Sequence, residues 1–175
     1  MDPRWIIIVL ANALLVFLGG QINHYLAHLP VSVFLLGLCL PVAGLRLRFR
    51  PGFIAMAVSG LVLDATRPVP FGSTALLLAA LFTCWHGVRT RFPRDGVAPA
   101  VIGAMLANLV LFLAQPLLIP GALAGSTSSR VLVDLLCSQF AVGLLGPWFF
   151  ALQEQALLLR GVNLADEARA PGGAL

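Results

Sequence analysis

The sequence predicts an all-α, polytopic transmembrane helix bundle of about six spans, on three observations. First, of 175 residues, 59% are hydrophobic and 10% charged, whereas a water-soluble domain carries about 25% charged residues. Polar surface is too scarce to coat a globule, so lipid must do the coating. Second, the apolar residues fall into long runs. Third, much of the charge gathers in two short arginine clusters between those runs, Arg46, Arg48 and Arg50 in one and Arg89, Arg91 and Arg94 in the other.

A helix that crosses a bilayer needs roughly 20 apolar residues, with about 17 as the lower limit. Residues 5–26 form the first run, with Asn12 inside it and Gln21, Asn23, His24 and Tyr25 at its far end. Arg4 ahead of an apolar run is how a signal peptide starts. No small-x-small cleavage site follows and further apolar runs do, so the segment reads as an uncleaved first helix. The second run, 31–45, is short and has Pro41 near its end. The third, 53–63, is also short and stops at Asp64. The fourth, 72–88, is just long enough. The fifth, 97–119, contains Asn108 and Gln115. The sixth, 131–159, opens near Asp134 and closes near Glu154. Pro68 and Pro70 break the chain after Asp64, so runs three and four are either two helices or one re-entrant hairpin, and two helices is the favoured reading. The bundle is expected over 1–162, and the polar tail 163–175 is expected to be disordered and cytoplasmic.

Charge sets the orientation. With six spans and the N-terminus inside, Arg4, Arg46, Arg48, Arg50, Arg89, Arg91, Arg94, Arg160 and Arg169 face the cytoplasm, and only Arg67 and Arg130 face out. That asymmetry follows the rule that cytoplasmic loops collect the basic residues. The clustered arginines are read as topology-setting, lipid-facing loops. Gly44-Leu45-Arg46-Leu47-Arg48-Phe49 also echoes Gly87-Val88-Arg89-Thr90-Arg91-Phe92, as a duplicated hairpin would. A net charge of +4 does not make a nucleic-acid binder of a chain that lacks an exposed basic face.

Few residues offer chemistry. Cys39, Cys84 and Cys137 lie inside apolar runs without CxxC spacing, and read as small buried hydrophobes. His24 and His28 stand four apart, as two metal ligands on one helix face do, but Pro30 follows and no carboxylate is close in sequence. An interfacial loop is the simpler reading, and no metal or cofactor is expected. Ser59 with His86 lacks the sequence context of a serine hydrolase. Asp64 and Asp134 both fall at the outer end. An ionisable group inside a membrane is a functional hypothesis by default; the simpler reading pairs Asp64 with Arg67 and Asp134 with Arg130. Two such acids sharing a proton would make an intramembrane aspartyl hydrolase, but neither stands in the Asn-containing context of lipoprotein signal peptidases.

The stretch 52–64, ending in Gly60-Leu61-Val62-Leu63-Asp64, is followed by Pro70-Phe71-Gly72 and a second apolar helix over 73–77 and beyond. This resembles the rod shape-determining protein MreD family, in which an apolar helix ends in Gly-Leu-x-x-Asp before a Pro-Leu/Phe-Gly turn. The specific match covers about 30 residues; size and short basic loops agree with it. Without the family, Gly60 permits close helix contact, Asp64 is a helix-end hydrogen-bonding group, and Pro70 and Gly72 shape a corner near Arg67. The resemblance implies a non-enzymatic inner-membrane scaffold of the bacterial elongation machinery. Its partners would be an MreC-like single-span protein and, directly or indirectly, MreB, RodA and a penicillin-binding transpeptidase. It implies a fold similar to the substrate-binding components of energy-coupling-factor vitamin transporters, which makes a transporter subunit the competing class. Small residues in run five (Gly103, Ala104, Ala107, Ala114) and run six (Ala141, Gly143, Gly146) offer packing faces, for a partner or for the bundle itself.

Overall fold

A computed structural model describes residues 4–29, 31–66, 69–88, 97–118 and 128–158. Arg67, the cluster Arg89, Arg91 and Arg94, and the tail 163–175 lie outside the described residues. Within them the chain is all-helical: α1 (Arg4–Tyr25), α2 (Leu40–Arg46), α3 (Phe49–Thr66), α4 (Ser73–Val88), α5 (Val97–Leu118) and α6 (Ser128–Leu158), with single 3-10 turns at Leu26–His28 and Leu36–Cys39. In an apolar surround every backbone N–H and C=O must find a partner inside the chain, and a helix provides that locally. Three helices are long and apolar enough to cross a membrane, those over Arg4–His28, Val97–Pro116 and Ser129–Leu158. The architecture is that of a helical bundle compatible with an integral membrane protein.

Contacts fix the directions of the helices. Asn12 of α1 meets Ser59 of α3 and Gln153 of α6. The C-terminal halves of α1 and α3 border one cavity, so these two run parallel. α4 returns along α3: Gly60 abuts Ala75, Gly52 abuts Phe82, and the rings of Phe49 and His86 lie 5.2 Å apart. α6 returns along α5, with Gln139 against Met105 and Gly146 against Val101. The segments therefore alternate in direction. The described arginines Arg46, Arg48 and Arg50 gather at the end where α1 and α3 begin.

Runs three and four are two separate helices packed side by side. At 18 and 16 residues they are about 27 and 24 Å long. α3 begins at Phe49, four residues before the expected 53. Arg50 and Pro51 thus belong to its first turn, where a proline costs no hydrogen bond because those N–H groups have no helical acceptor.

Run two departs from expectation. A continuous helix over 31–45 is not formed. Residues 31–35 belong to no helix, Leu36–Cys39 make a 3-10 turn, and only Leu40–Arg46 are α-helical. The cause is Pro41. In a continuous helix its nitrogen would have to donate to the Gly37 carbonyl, and proline has no N–H. The Leu40 N–H takes that carbonyl instead, as a 3-10 bond, and Pro41 falls at the start of α2, where proline is tolerated. The β-branched Val31 and Val33 have low helix propensity, in keeping with a non-helical stretch ahead of the turn. Despite this, residues 34–44 are all buried. Leu38, Cys39, Leu40 and Ala43 are fully enclosed, together with Ile8, Met56, Leu78, Phe82 and Val142. The least regular segment is the centre of the core.

Gly37 explains how it fits there. A Cβ at this position would overlap the Ala104 carbonyl and the Asn108 backbone of α5. Gly103 and Gly44 similarly admit the Trp85 ring. Gly103, Ala104 and Ala107, named above as possible partner faces, are buried within the bundle; Gly146 is buried too, whereas Ala141 and Gly143 are half-buried. The two echoing arginine stretches are not packed alike: Gly44 is buried against Trp85, while Gly87 is exposed with nothing around it.

Candidate functional site

The polar side chains inside the bundle sort into four groups, each placed by a break in helical regularity or by an end of the bundle. The first is the corner after α3. Asp64 is 4% exposed. Its Oδ2 accepts the Gly72 N–H at 2.9 Å and the Ala75 N–H at 3.3 Å, and its Oδ1 accepts the Thr74 N–H at 3.1 Å. These are N–H groups of the turn and of the first turn of α4, which have no helical acceptor of their own. A carboxylate there also complements the positive end of the helix dipole. Thr66 closes the end of α3 by donating to the Leu63 carbonyl, and Ser73 donates to the Pro70 carbonyl. Gly72 adopts φ +92, a conformation strained for any residue with a Cβ. Gly60 brings α3 against the backbone of α4, where a Cβ would overlap Ala75. Asp64 thus holds the far side of the corner through backbone donors.

The second group holds the non-helical stretch 31–37. Asn23 takes both polar groups of Val33: its Oδ1 accepts the N–H at 2.7 Å and its Nδ2 donates to the carbonyl at 2.8 Å. Asp134 accepts the Ser32 N–H at 2.8 Å and the Ser32 hydroxyl at 3.0 Å. Ser138 Oγ accepts the Phe34 N–H at 2.9 Å, and Asn108 Oδ1 accepts the Gly37 N–H at 3.0 Å. Side chains of α1, α5 and α6 thus replace the hydrogen bonds that a helix would have supplied. This corrects the pairing of Asp134 with Arg130: its carboxylate binds Ser32, and Arg130 is exposed. The reason is tertiary: Asp134, half-buried on α6, faces Ser32 of the non-helical segment.

The third group is a fully buried node in mid-bundle. Asn12 donates from Nδ2 to Ser59 Oγ at 3.0 Å and accepts at Oδ1 from Gln153 Nε2 at 3.2 Å. It ties α1 to α3 and α6. Ser59 is therefore engaged by an amide. His86 packs on Phe49 and Phe82, near the start of α3, ten residues and about 15 Å of helix from Ser59. The two do not form a nucleophile and base.

The fourth group lies at the arginine end. Glu154 Oε1 accepts from Arg46 Nε at 3.1 Å and from Nη2 at 2.7 Å, the two side chains being 29% and 39% exposed. The sequence places Arg46 in a lipid-facing loop. It is instead a half-buried tether between α2 and α6, because α2 ends there against the last turns of α6. Arg48 and Arg50 are exposed, as expected of loop and helix-start arginines. The pair is solvent-accessible, so breaking it should be mild: Arg46→Ala or Glu154→Gln should cost about 1 kcal/mol or less. A double-mutant cycle read by thermal unfolding checks this, and a coupling near zero would show that the two side chains meet without holding the helices together.

His24 and His28 are both exposed near the end of α1. Among the described residues, no group of three His, Cys, Asp or Glu side chains is placed to hold a metal. Of the cysteines, Cys39 is buried, Cys137 half-buried and Cys84 exposed. Cys84 corrects the reading of all three as core hydrophobes, since it lies on the outward face of α4. Asp64 and Asp134 accept from different segments, one from the start of α4 and the other from Ser32.

A cavity of about 420 Å³ opens beside α1, bordered by its C-terminal half, by Val33, Leu35, Leu36 and Cys39 of the irregular segment, and by Val62, Leu63 and Thr66 of α3. The outer surface of the bundle is apolar over long stretches: Leu76 is 71% exposed, Phe140 73%, Leu144 67% and Trp148 61%. Isolated exposed apolar residues are ordinary, but a contiguous apolar exterior calls for a covering phase. Fold and polar groups together define an all-helical bundle whose buried polar side chains bind its own backbone or one another. No family model, curated protein or solved structure matches the chain.

Proposed function

We propose that the chain is a non-enzymatic inner-membrane scaffold of the bacterial cell-elongation machinery, crossing the membrane six times with both termini in the cytoplasm. It binds an MreC-like single-span protein and supports rod shape and peptidoglycan synthesis, with MreB, RodA and a penicillin-binding transpeptidase reached directly or through that partner. The observation that carries the reading is how the buried and half-buried polar groups are used. Asp64, Asp134, Asn23, Asn108 and Ser138 bind backbone groups of this chain, and Asn12 binds Ser59 and Gln153. They shape the bundle, and none of these side chains pairs with another as acid and base. The motif from Gly60 through Asp64 to Gly72 builds a rigid corner, in keeping with the resemblance of 52–77 to the MreD family. Arg46, Arg48 and Arg50 at one end accord with a cytoplasmic face there.

A vitamin-type transporter subunit is the second reading, and the 420 Å³ cavity favours it. Against it stands the lining. Only Gln21, Asn23 and Thr66 are polar, and Asn23 and Thr66 already bind Val33 and the Leu63 carbonyl.

Two measurements test the proposal. Reporter fusions at Leu175 and within the 121–129 loop should report opposite sides; the same side for both would sink the six-span topology. Depletion from a rod-shaped host should produce rounded cells, and purification from native membranes should retain a single-span partner, identified by mass spectrometry. Normal rods, together with tight retention of a vitamin-like molecule, would favour the transporter.

A further inference from the structure

We propose that the clefts flanking the C-terminal half of α1 hold the two acyl chains of a bilayer phospholipid, with its head beside Gln21. The larger cavity, about 420 Å³, falls in the range of roughly 300–1,000 Å³ found for ligand sites. Its chemistry is graded along α1. Toward mid-bundle the wall is Ala13, Leu15 and Val16, with Leu36 and Cys39 opposite; toward the helix end it carries Gln21, Asn23 and Thr66. Asn23 and Thr66 are occupied internally, which leaves the exposed Gln21 to meet a head group. None of the described lining residues is charged. That is an amphiphile's profile, apolar inward and hydrogen-bonding at the end.

The wall is built to stay open. Small residues stand where a larger one would fill the space: a Cβ on Gly20 would meet nothing within 4 Å, and one on Gly19 would touch only Leu35 Cδ1, at 3.7 Å. The irregular segment opposite would normally present polar backbone to the space. The N–H and C=O of Val33 are both taken by Asn23, which removes those two groups from the wall. Entry is lateral. Phe17 and Val62 border the cavity and are 62% and 37% exposed on the outside of the bundle, where hydrocarbon tails lie if the chain spans a membrane. A ligand from water would need an opening at the end of the bundle instead.

A second cleft, about 230 Å³, lies on the opposite side of α1 against Leu145, Trp148 and Phe149 of α6. Leu15, Gln21 and Leu35 border both clefts, so a two-chain lipid can straddle the helix with Gln21 between its tails. α1 is less buried at this point: its buried residues are Ile8, Ala11, Asn12 and Leu15, all in its first twelve positions. The inference rests on the membrane reading of the bundle and is independent of the scaffold reading.

The test uses the full chain reconstituted in phosphatidylglycerol bilayers doped with a phosphatidylglycerol carrying a diazirine on one acyl chain. After photolysis, peptides are mapped by mass spectrometry. Labelling should concentrate on 13–20 and 62–66, above the outward residues Leu106, Phe140 and Leu144. Gly20→Trp, whose Cβ meets nothing within 4 Å, should lower labelling of 62–66 about tenfold, a loss of roughly 1.4 kcal/mol in binding, while Gly20→Ser leaves it unchanged. Equal labelling of every outward face overturns the proposal in favour of ordinary annular lipid. So does a cavity left unlabelled while Leu106 and Phe140 are labelled, and in that case the membrane reading survives. Labelling of none of these would overturn both.

Discussion

Asp64→Leu should destabilise the bundle by roughly 3–5 kcal/mol and sharply lower the amount of protein in the membrane. The carboxylate accepts three backbone N–H groups, those of Gly72, Thr74 and Ala75, in a site 4% exposed. Removing it leaves three donors unpaired, two of them buried, each buried one costing about 1–3 kcal/mol, part of which local rearrangement recovers. Asp64→Asn keeps one acceptor oxygen of similar shape and should cost about 1–2 kcal/mol, with much of the function retained. Thermal unfolding and membrane abundance of both variants check this. If Asn were as inactive as Leu while the protein stayed folded and abundant, the charge would be needed for something other than the corner, and catalysis would return to consideration.

Gly37→Ala should be as damaging, through an opposite mechanism. The added methyl overlaps the Ala104 carbonyl and the Asn108 backbone, which are parts of a helix and cannot step aside as a flexible side chain would. Either α5 moves away from the core or the 3-10 turn is lost, and with it the Gly37 N–H bond to Asn108. Overpacking of a core commonly costs about 1–3 kcal/mol, occasionally more, and the rigid obstacle places this case near or above the upper figure. Asn108→Ala, which removes the acceptor and leaves room, should be milder, at about 1–3 kcal/mol. A Gly37→Ala protein that melts within a degree or two of the parent would show that the segment floats rather than wedges.

The sequence revealed the long helices because their signal is composition and length. Runs one, five and six appear at nearly the expected limits, as does run four. Run two was misread because apolar character over 31–45 signals burial in either conformation. Only the geometry of Pro41 against Gly37 distinguishes a turn from a helix, and that requires knowing where the chain goes next. The corner at Asp64 was legible locally, since the acid, the prolines and Gly72 lie within nine positions of each other. Asp134 was not, because its partner Ser32 is 102 residues away while Arg130 is one helical turn away in sequence. Arg46 and Glu154, separated by 108 residues, were missed for the same reason. Spacing rules describe one helix at a time, and these polar contacts join different ones.

The irregular segment has a consequence for how the chain is made. Its backbone is completed by Asn23, Asn108, Asp134 and Ser138. During synthesis Asn23 emerges before it, but the other three follow by some 70 to 100 residues. Unpaired backbone groups are not stable in hydrocarbon. The nascent segment therefore has to wait in water, at the interface or in the shelter of the insertion machinery until α5 and α6 arrive. Ribosome-bound intermediates that stop before Ser138 should leave residues 31–39 open to protease or to thiol reagents at Cys39, and extension past that point should close them abruptly. Assembly of this bundle is thus gated by its last helix, and the order of the genes' codons becomes a timetable for when its centre can form.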